Sequence, residues 1–251
     1  MKYILILILS FCTIFADENL SKTDKQKVTI GFGPYIQTQP YKDVDALVLP
    51  SPVIFFDNNL FYVRWSRAGI YFLGDIQDDY AWGFSLSIQP RTYGYDSSDI
   101  AGMDERESTW EGGLAFSAKT DNAYIEIMAL TDILDRYESW ILKTEIGYDI
   151  EAGDFSFYPS VIAIYQSGDF MNYYYGVSAN EALRRGENTY IADGGLQLGV
   201  QTYIKYPFTK NISALINLRA DLLPKEATSS PIVDDKLIYS GLASLIYSFE
   251  Y

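Results

Sequence analysis

Apolar and polar residues alternate along most of the chain. From Trp140 to Ile150 one set reads Trp140, Leu142, Thr144, Ile146, Tyr148 and Ile150; the other reads Ile141, Lys143, Glu145, Gly147 and Asp149. Ile212, Ala214, Ile216, Leu218, Ala220 and Leu222 interleave in the same way with Asn211, Ser213, Leu215, Asn217, Arg219 and Asp221. So do Trp82, Phe84, Leu86 and Ile88 with Gly83, Ser85, Ser87 and Gln89, and Leu196, Leu198, Val200, Thr202 and Ile204 with Gln197, Gly199, Gln201, Tyr203 and Lys205. A period of two places the sets on opposite faces of a β-strand.

Read this way, the chain predicts strands near 28–38, 46–56, 60–65, 69–74, 80–91, 109–119, 123–131, 138–150, 154–166, 189–206, 211–222 and 237–251. Alternation alone fits a soluble sandwich as well as a membrane barrel. Three features favour an all-β, transmembrane, antiparallel up-and-down barrel. Many strands reach the nine to eleven residues that a tilted strand needs to cross a bilayer. Aromatic residues stand near strand ends, as Trp82, Trp110, Trp140, Tyr148, Tyr206 and Tyr251 do, in the manner of interfacial girdles. The polar faces mix glycine with charges of both signs, which suits a hydrated or crowded lumen.

Connection lengths set the topology. Segments 39–45, 92–108, 132–137, 167–188 and 223–236 are expected outside, and the short turns 57–59, 75–79, 120–122, 151–153 and 207–210 inside, with the N-terminus periplasmic. Fusing 60–74 into one strand would reverse every later loop, so twelve strands is the consistent number. The shortness of 60–65 and 69–74 leaves a ten-strand variant as the alternative. Residues 178–186 predict a short helix in an external loop, capped by Ser178 with Glu181 three residues on and ended by Gly186.

The start of the chain reads as a signal peptide. Met1 and Lys2 precede the apolar run Tyr3–Phe15, the small Ala16, and then Asp17 and Glu18. The expected organisation is a signal peptide at 1–16, a short periplasmic leader at 17–27 and one outer-membrane barrel domain at 28–251. The bulky Phe11 before Cys12 argues against lipid attachment at that cysteine. At the other end, Ala243, Leu245, Tyr247, Phe249 and Tyr251 share one face of the last strand. Tyr247, Phe249 and Tyr251 are the candidate assembly signal, with the barrel-assembly machinery as its reader.

Composition removes several classes of function. The formal charge of −14 disfavours nucleic acid as a partner. The chain has no histidine, so Ser-His and Asp-His catalysis is closed to it, and cleavage after Ala16 would remove Cys12 and with it thiol chemistry. No enzyme activity, cofactor or metal site is expected. Asp96, Asp99, Asp104, Glu105 and Glu107 form an acidic loop that reads as a solvated charge run, with weak divalent-cation binding as the sharper alternative.

One resemblance covers nearly the whole mature chain. Tyr173-Tyr174-Tyr175-Gly176-Val177-Ser178-Ala179-Asn180-Glu181-Ala182, continuing through Gly186 to Tyr190, Ala192, Gly194 and Gly195, resembles the signature loop of the MipA/OmpV family of outer-membrane proteins. Gly31, Gly33, Pro40-Tyr41, Leu49-Pro50, Phe61 and Gly69 are similar to that family's opening. So are Gly102-Met103-Asp104 with Glu111-Gly112-Gly113, and Ser230-Pro231-Ile232-Val233 before the last strand. Asp104 to Glu107 is more charged than the family pattern, and Asn172 to Tyr175 is richer in tyrosine. The resemblance implies an outer-membrane scaffold or interaction protein, with a murein transglycosylase or another envelope protein as partner; surface adhesion or osmotic adaptation is a further implication.

A small-solute channel is the other class. Arg91, Lys119, Lys143, Glu145, Lys205 and Arg219 are the candidate lumen charges, which either set selectivity or pair across a closed lumen. Tyr173, Tyr174, Tyr175, Glu181, Arg184 and Arg185 are the candidate external-loop partner surface, against the alternative that this loop simply packs onto the barrel mouth. Outer-membrane lipid is the partner common to all these readings.

Overall fold

The computed structural model describes residues 26–77, 79–92 and 94–250. The expected signal peptide, the leader up to residue 25, Cys12 and the terminal Tyr251 lie outside the described residues. The strands are β1 (Lys27–Gln37), β2 (Leu47–Asp57), β3 (Phe61–Arg64), β4 (Arg67–Ile76), β5 (Tyr80–Arg91), β6 (Thr109–Thr120) and β7 (Ala123–Asp132). They continue as β8 (Trp140–Tyr148), β9 (Ile150–Ala152), β10 (Phe155–Gln166), β11 (Gly195–Pro207), β12 (Ile212–Leu222) and β13 (Leu237–Glu250). Among the described residues three short helices lie between strands: α1 (Gly168–Tyr175), α2 (Ala179–Arg185) and α3 (Lys225–Thr228).

Each strand pairs antiparallel with its sequence neighbours, and β1 pairs with β13 from Lys27↔Glu250 to Gln37↔Ser240, which closes the sheet. β8 and β9 both pair with β10, on either side of a break at Asp149, and so form one wall strand. The result is a closed barrel of 12 strands. β3 and β4 are distinct paired strands, which removes the ten-strand alternative. β11 begins at Gly195 rather than 189, because Tyr190 bridges to Val177 and keeps the preceding segment in the loop. The long connections all leave one end of the barrel and the short turns the other, except the Trp65–Ser66 turn of the β3–β4 hairpin, which faces the loop end within the wall.

Burial is inverted relative to a water-soluble protein. Ile30, Phe32, Leu86, Val161, Val200 and Leu245 project outward and are exposed, whereas Thr29, Ser87, Glu145, Gln197, Asn217 and Ser244 project inward and are buried. The inversion fits a wall facing hydrocarbon, where a lysine or arginine on the outer face costs ~2–4 kcal/mol at mid-depth. Trp110, Trp140, Tyr165 and Tyr239 ring the loop end; Tyr80, Tyr148, Phe155, Tyr247 and Phe249 ring the turn end. Tyr247 and Phe249, expected as part of an assembly signal, face outward in that lower girdle.

The seam between first and last strands depends on small residues. A Cβ at Gly33 would meet the carbonyl oxygen of Ala243 at 1.8 Å, and one at Gly31 would meet that of Leu245 at 2.5 Å. Gly33→Val is expected to destabilise the closed barrel by about 3 kcal/mol or more, through overpacking against backbone that cannot move aside. The loss of the compact, heat-modifiable band in unboiled gel electrophoresis would show it; a fully retained band would contradict this account of the seam.

Candidate functional site

The loop end of the barrel is stoppered by its own connections. Ser167 caps α1, its hydroxyl accepting from the N–H of Phe170 at 3.4 Å, and pairs with the Ser139 hydroxyl at 2.6 Å. Phe170, Met171, Tyr174 and Tyr175 then fall on one broad face, as positions one and four apart do on a helix, and all four are 0% exposed. They pack with Tyr41, Tyr137, Ile232 and Val233 from three other loops, and with Ile141 and Ile164 at the top of the lumen. Ser230 donates to the carbonyl of Tyr175 at 2.5 Å and ties the loop before β13 to α1.

α2 forms as its capping signal predicts. Ser178 and Glu181 make a reciprocal capping box, and Gly186 ends the helix in the left-handed region at φ 66°, a conformation that favours glycine. The Glu181 carboxylate accepts from the backbone N–H groups of Ser178 (2.8 Å) and Asp104 (3.1 Å) and from the Arg106 guanidinium (2.7 Å). Arg106 also donates to the carbonyl of Tyr173. Arg184 and Arg185 reach the carbonyls of Gly102 (2.9 Å) and Ala101 (2.8 Å).

This changes the reading of the candidate partner surface. Tyr174, Tyr175 and Glu181 are buried, Tyr173 is half-buried, and Arg184 and Arg185 are engaged with the neighbouring loop. Helix α1 turns the tyrosines inward, so they stopper the barrel instead of presenting a surface. The acidic loop is likewise divided among partners: Asp104 pairs with Arg184 at 2.7 Å and Glu107 with Arg136 at 2.5 Å.

Beneath the stopper a space of about 2850 Å³ runs down the lumen and continues past the wall onto outward-facing residues such as Leu86 and Leu114. Four of the six expected lumen charges sit in compensated groups along it. Arg91 pairs with Glu111, which also accepts from Gln89 (2.8 Å) and the Tyr137 hydroxyl (3.0 Å). Lys143 lies 3.4 Å from Glu145, whose carboxylate accepts from Tyr124 (2.8 Å), Ser160 (3.0 Å) and Gln201 (3.3 Å). Arg219 pairs with Asp221 at 2.6 Å. Lys119 and Lys205 point inward near the turn end, away from these groups.

Arg64, Arg67, Glu111, Glu126 and Asp221 complete these groups and stand outside the expected lumen charges. Arg64 and Arg67 both pair with Glu126. Extending the period of two from Lys119 reaches Glu111, and from Arg219 it reaches Asp221, so those were available. Arg64 and Arg67 flank the Trp65–Ser66 turn of a hairpin too short for a period to register.

The Glu181 cluster makes the stopper sensitive to acid. Burial alone would raise this carboxyl, but the two backbone donors and Arg106 outweigh it and pull the pKa from 4.5 to about 2. A group depressed in the folded state contributes stability above its unfolded pKa and loses it as pH falls through its folded one. Hydrogen-exchange protection of α1 and α2 is therefore expected to hold from neutral pH to about 5 and to fall between 4.5 and about 2. Glu181→Gln should weaken protection at neutral pH and flatten that dependence; an unchanged profile would separate Glu181 from the stability of the stopper.

The chain is similar in sequence to known outer-membrane proteins. The family model described as MltA-interacting protein MipA matches residues 30–249. The putative outer membrane protein YiaT of Escherichia coli K12 is 24% identical over 239 residues, covering 94% of this chain and 96% of its own. The MltA-interacting protein of the same strain is 27% identical over 228 residues, covering 90% of each. Among solved structures, an outer membrane channel from Pseudomonas putida F1 aligns with a TM-score of 0.41 and 11% identity, over 93% of this chain and 100% of that one. Neither the family description nor these relatives' names denote an enzyme. The chain is an outer-membrane β-barrel and belongs to the MltA-interacting protein MipA family.

Proposed function

We propose that this barrel is a non-enzymatic scaffold that holds a cell-wall enzyme of the murein transglycosylase class at the inner face of the outer membrane. The observation that carries the reading is the stopper. Five loops and the three helices they carry bury a continuous apolar core across the mouth, while the charges beneath are compensated within the lumen. Such an arrangement favours a rigid platform over a through-pore. A relative named for interacting with MltA supports the class of partner.

On this reading the docking surface is the turn end. The outer loops spend their tyrosines and arginines on the stopper, whereas Asn59, Asp121, Gly153 and Lys210 stand exposed at the tips of the short turns. One observation favours surface adhesion as a second reading. Leu183 and Ile191, on the outer rim of the stopper, are 82% and 81% exposed.

Two measurements test the proposal together. The refolded protein is expected to be electrically silent in planar bilayers at neutral pH. It is also expected to retain a purified murein transglycosylase on a column, and to lose it on substitution of the Thr209–Asn211 turn but not on Lys143→Ala with Arg219→Ala. Stable, salt-dependent conductance steps whose selectivity changes in that double variant would replace the scaffold with a small-solute channel. Loss of partner binding on Leu183→Asp with Ile191→Asp, and not on turn substitution, would move the contact to the outer surface.

A further inference from the structure

The barrel is closed, yet its wall is incomplete at one place. β3 pairs with β2 only over Phe55–Asp57, then turns back at Trp65–Ser66 into β4. β4 in turn reaches β5 no higher than Ala68↔Ile88. Above that level β2 continues to Leu47 and β5 to Arg91, and among the described residues no strand pairs with their facing edges. With two strands missing, the axes of β2 and β5 are three strand spacings apart at the hairpin tip, ~14 Å.

An open edge in hydrocarbon is costly because its backbone groups lack partners. The sequence here removes most of the donors. The N–H of Trp65 bonds to the carbonyl of Ile54 at 2.8 Å, so even-numbered positions of β2 direct their backbone groups toward the opening. Above Ile54 those positions are Pro52, Pro50 and Val48. On the other side, the carbonyl of Trp110 accepts from Ile133 beyond β7, which leaves its partner Pro90 directed away from β6 and into the opening. Three of these four positions are proline, which has no N–H and cannot zip the edges together. The opening is thus a built feature of the wall.

It leads into the chamber under the stopper. Pro50, Pro52 and Pro90 line the same cavity as Gln37, Arg219 and Ser240. The loops close it above, where Thr92 donates to Gln37 at 3.3 Å and the rings of Tyr41 and Tyr95 stand 4.6 Å apart. Below, Trp65 folds into the lumen, its indole N–H donating to Ser51 at 2.9 Å and its ring 5.6 Å from that of Tyr35. Outside, Val48, Ile54 and Leu86 are exposed and apolar, so the opening faces lipid and not water. Inside, the charges of Arg91 and Arg219 are taken by Glu111 and Asp221, whereas the buried amide nitrogen of Gln37 has no partner.

We infer that this gap is a lateral portal through which an uncharged amphiphile passes from the outer leaflet into the chamber, its apolar body against the proline rim and Trp65, its hydroxyl on the Gln37 amide. The ligand's hydroxyl can in turn donate a hydrogen bond to a backbone carbonyl of the rim. The inference does not depend on the scaffold reading, since a platform and a membrane-facing chamber use different surfaces.

The probe is 11-bromo-1-undecanol, whose bromine quenches tryptophan. A Cys12→Ser variant with Trp82, Trp110 and Trp140 replaced by phenylalanine keeps Trp65 as the single reporter. In phosphatidylcholine vesicles, quenching of Trp65 is expected to saturate with bromo-alcohol and to be reversed by unlabelled 1-undecanol. Gln37→Leu should raise the half-saturating mole fraction about tenfold. A second form, Pro52→Cys with Pro90→Cys joined by a reductively cleavable bismaleimide, should lose the saturable quenching and regain it on cleavage; this comparison uses one folded sample. Quenching that rises linearly and ignores the cross-link would mean simple bilayer partitioning and would overturn the portal. Saturable quenching that ignores the cross-link would place access at the turn end and overturn it too. Quenching by chain-brominated phospholipid with no response to bromo-undecanol would put the bilayer's own lipid in the gap and reject the proposed ligand.

Discussion

The structure depends on one constraint: in hydrocarbon, the backbone donors and acceptors of a wall strand must be satisfied within the wall. A sheet meets that demand by closing, and β1 against β13 closes this one. Closure then dictates the side chains. The outer face must be apolar without interruption, as Phe32, Leu86 and Leu245 illustrate, so polarity is driven inward. Water does not drive that outer face together, because lipid is as apolar as leucine. Cohesion beyond the ladder has to come from the lumen and from the loops.

The lumen supplies it through compensated charge. Among the described residues, five paired inward cations, Arg64, Arg67, Arg91, Lys143 and Arg219, face the five carboxylates of Asp57, Glu111, Glu126, Glu145 and Asp221. Removing one partner of such a pair leaves a buried charge and costs ~3–5 kcal/mol, whereas the intact pair adds little net stability. The pairs therefore specify how the strands face one another more than they hold them together. With the lumen nearly neutral, the chain's net charge of −14 resides mostly at the loops and turns. There it keeps the ends of the barrel hydrated and leaves the interior free of a strong field.

How far the sequence discloses this follows from how long each pattern runs. Strands such as β8, β11 and β12 repeat the period of two for nine residues or more, enough to give both their existence and their facing. The same alternation turns Lys143, Glu145 and Arg219 inward, where Lys143 pairs with Glu145 and Arg219 with Asp221. The loop cap was legible at α2, where Ser178, Glu181 and Gly186 write out a start and a stop. It was not legible at α1. The run of tyrosines there reads equally as a display or a plug, and only the positions of Tyr41, Tyr137 and Ile232, far away in the chain, decide for the plug. The hairpin of β3 and β4 was visible as two short strands, but not as a hole: its meaning lies in what is missing above it.

Prolines within a strand ordinarily demote it to the edge of a sheet. Pro50 and Pro52 in β2, and Pro90 in β5, are out of place by that rule in a closed barrel, where no strand has an edge. The short hairpin resolves the conflict, because it gives each of these strands a free edge along the segment that carries the prolines. Either feature alone would be a defect. A short hairpin without prolines would expose donors to lipid and invite another strand; prolines beside full-length neighbours would break the ladder. Together they ease the constraint by removing most of the donors that would violate it, leaving mainly carbonyls along the rim. The barrel thereby keeps a stable opening in its side while its outer mouth is stoppered, so the chamber beneath the loops is joined to the membrane itself.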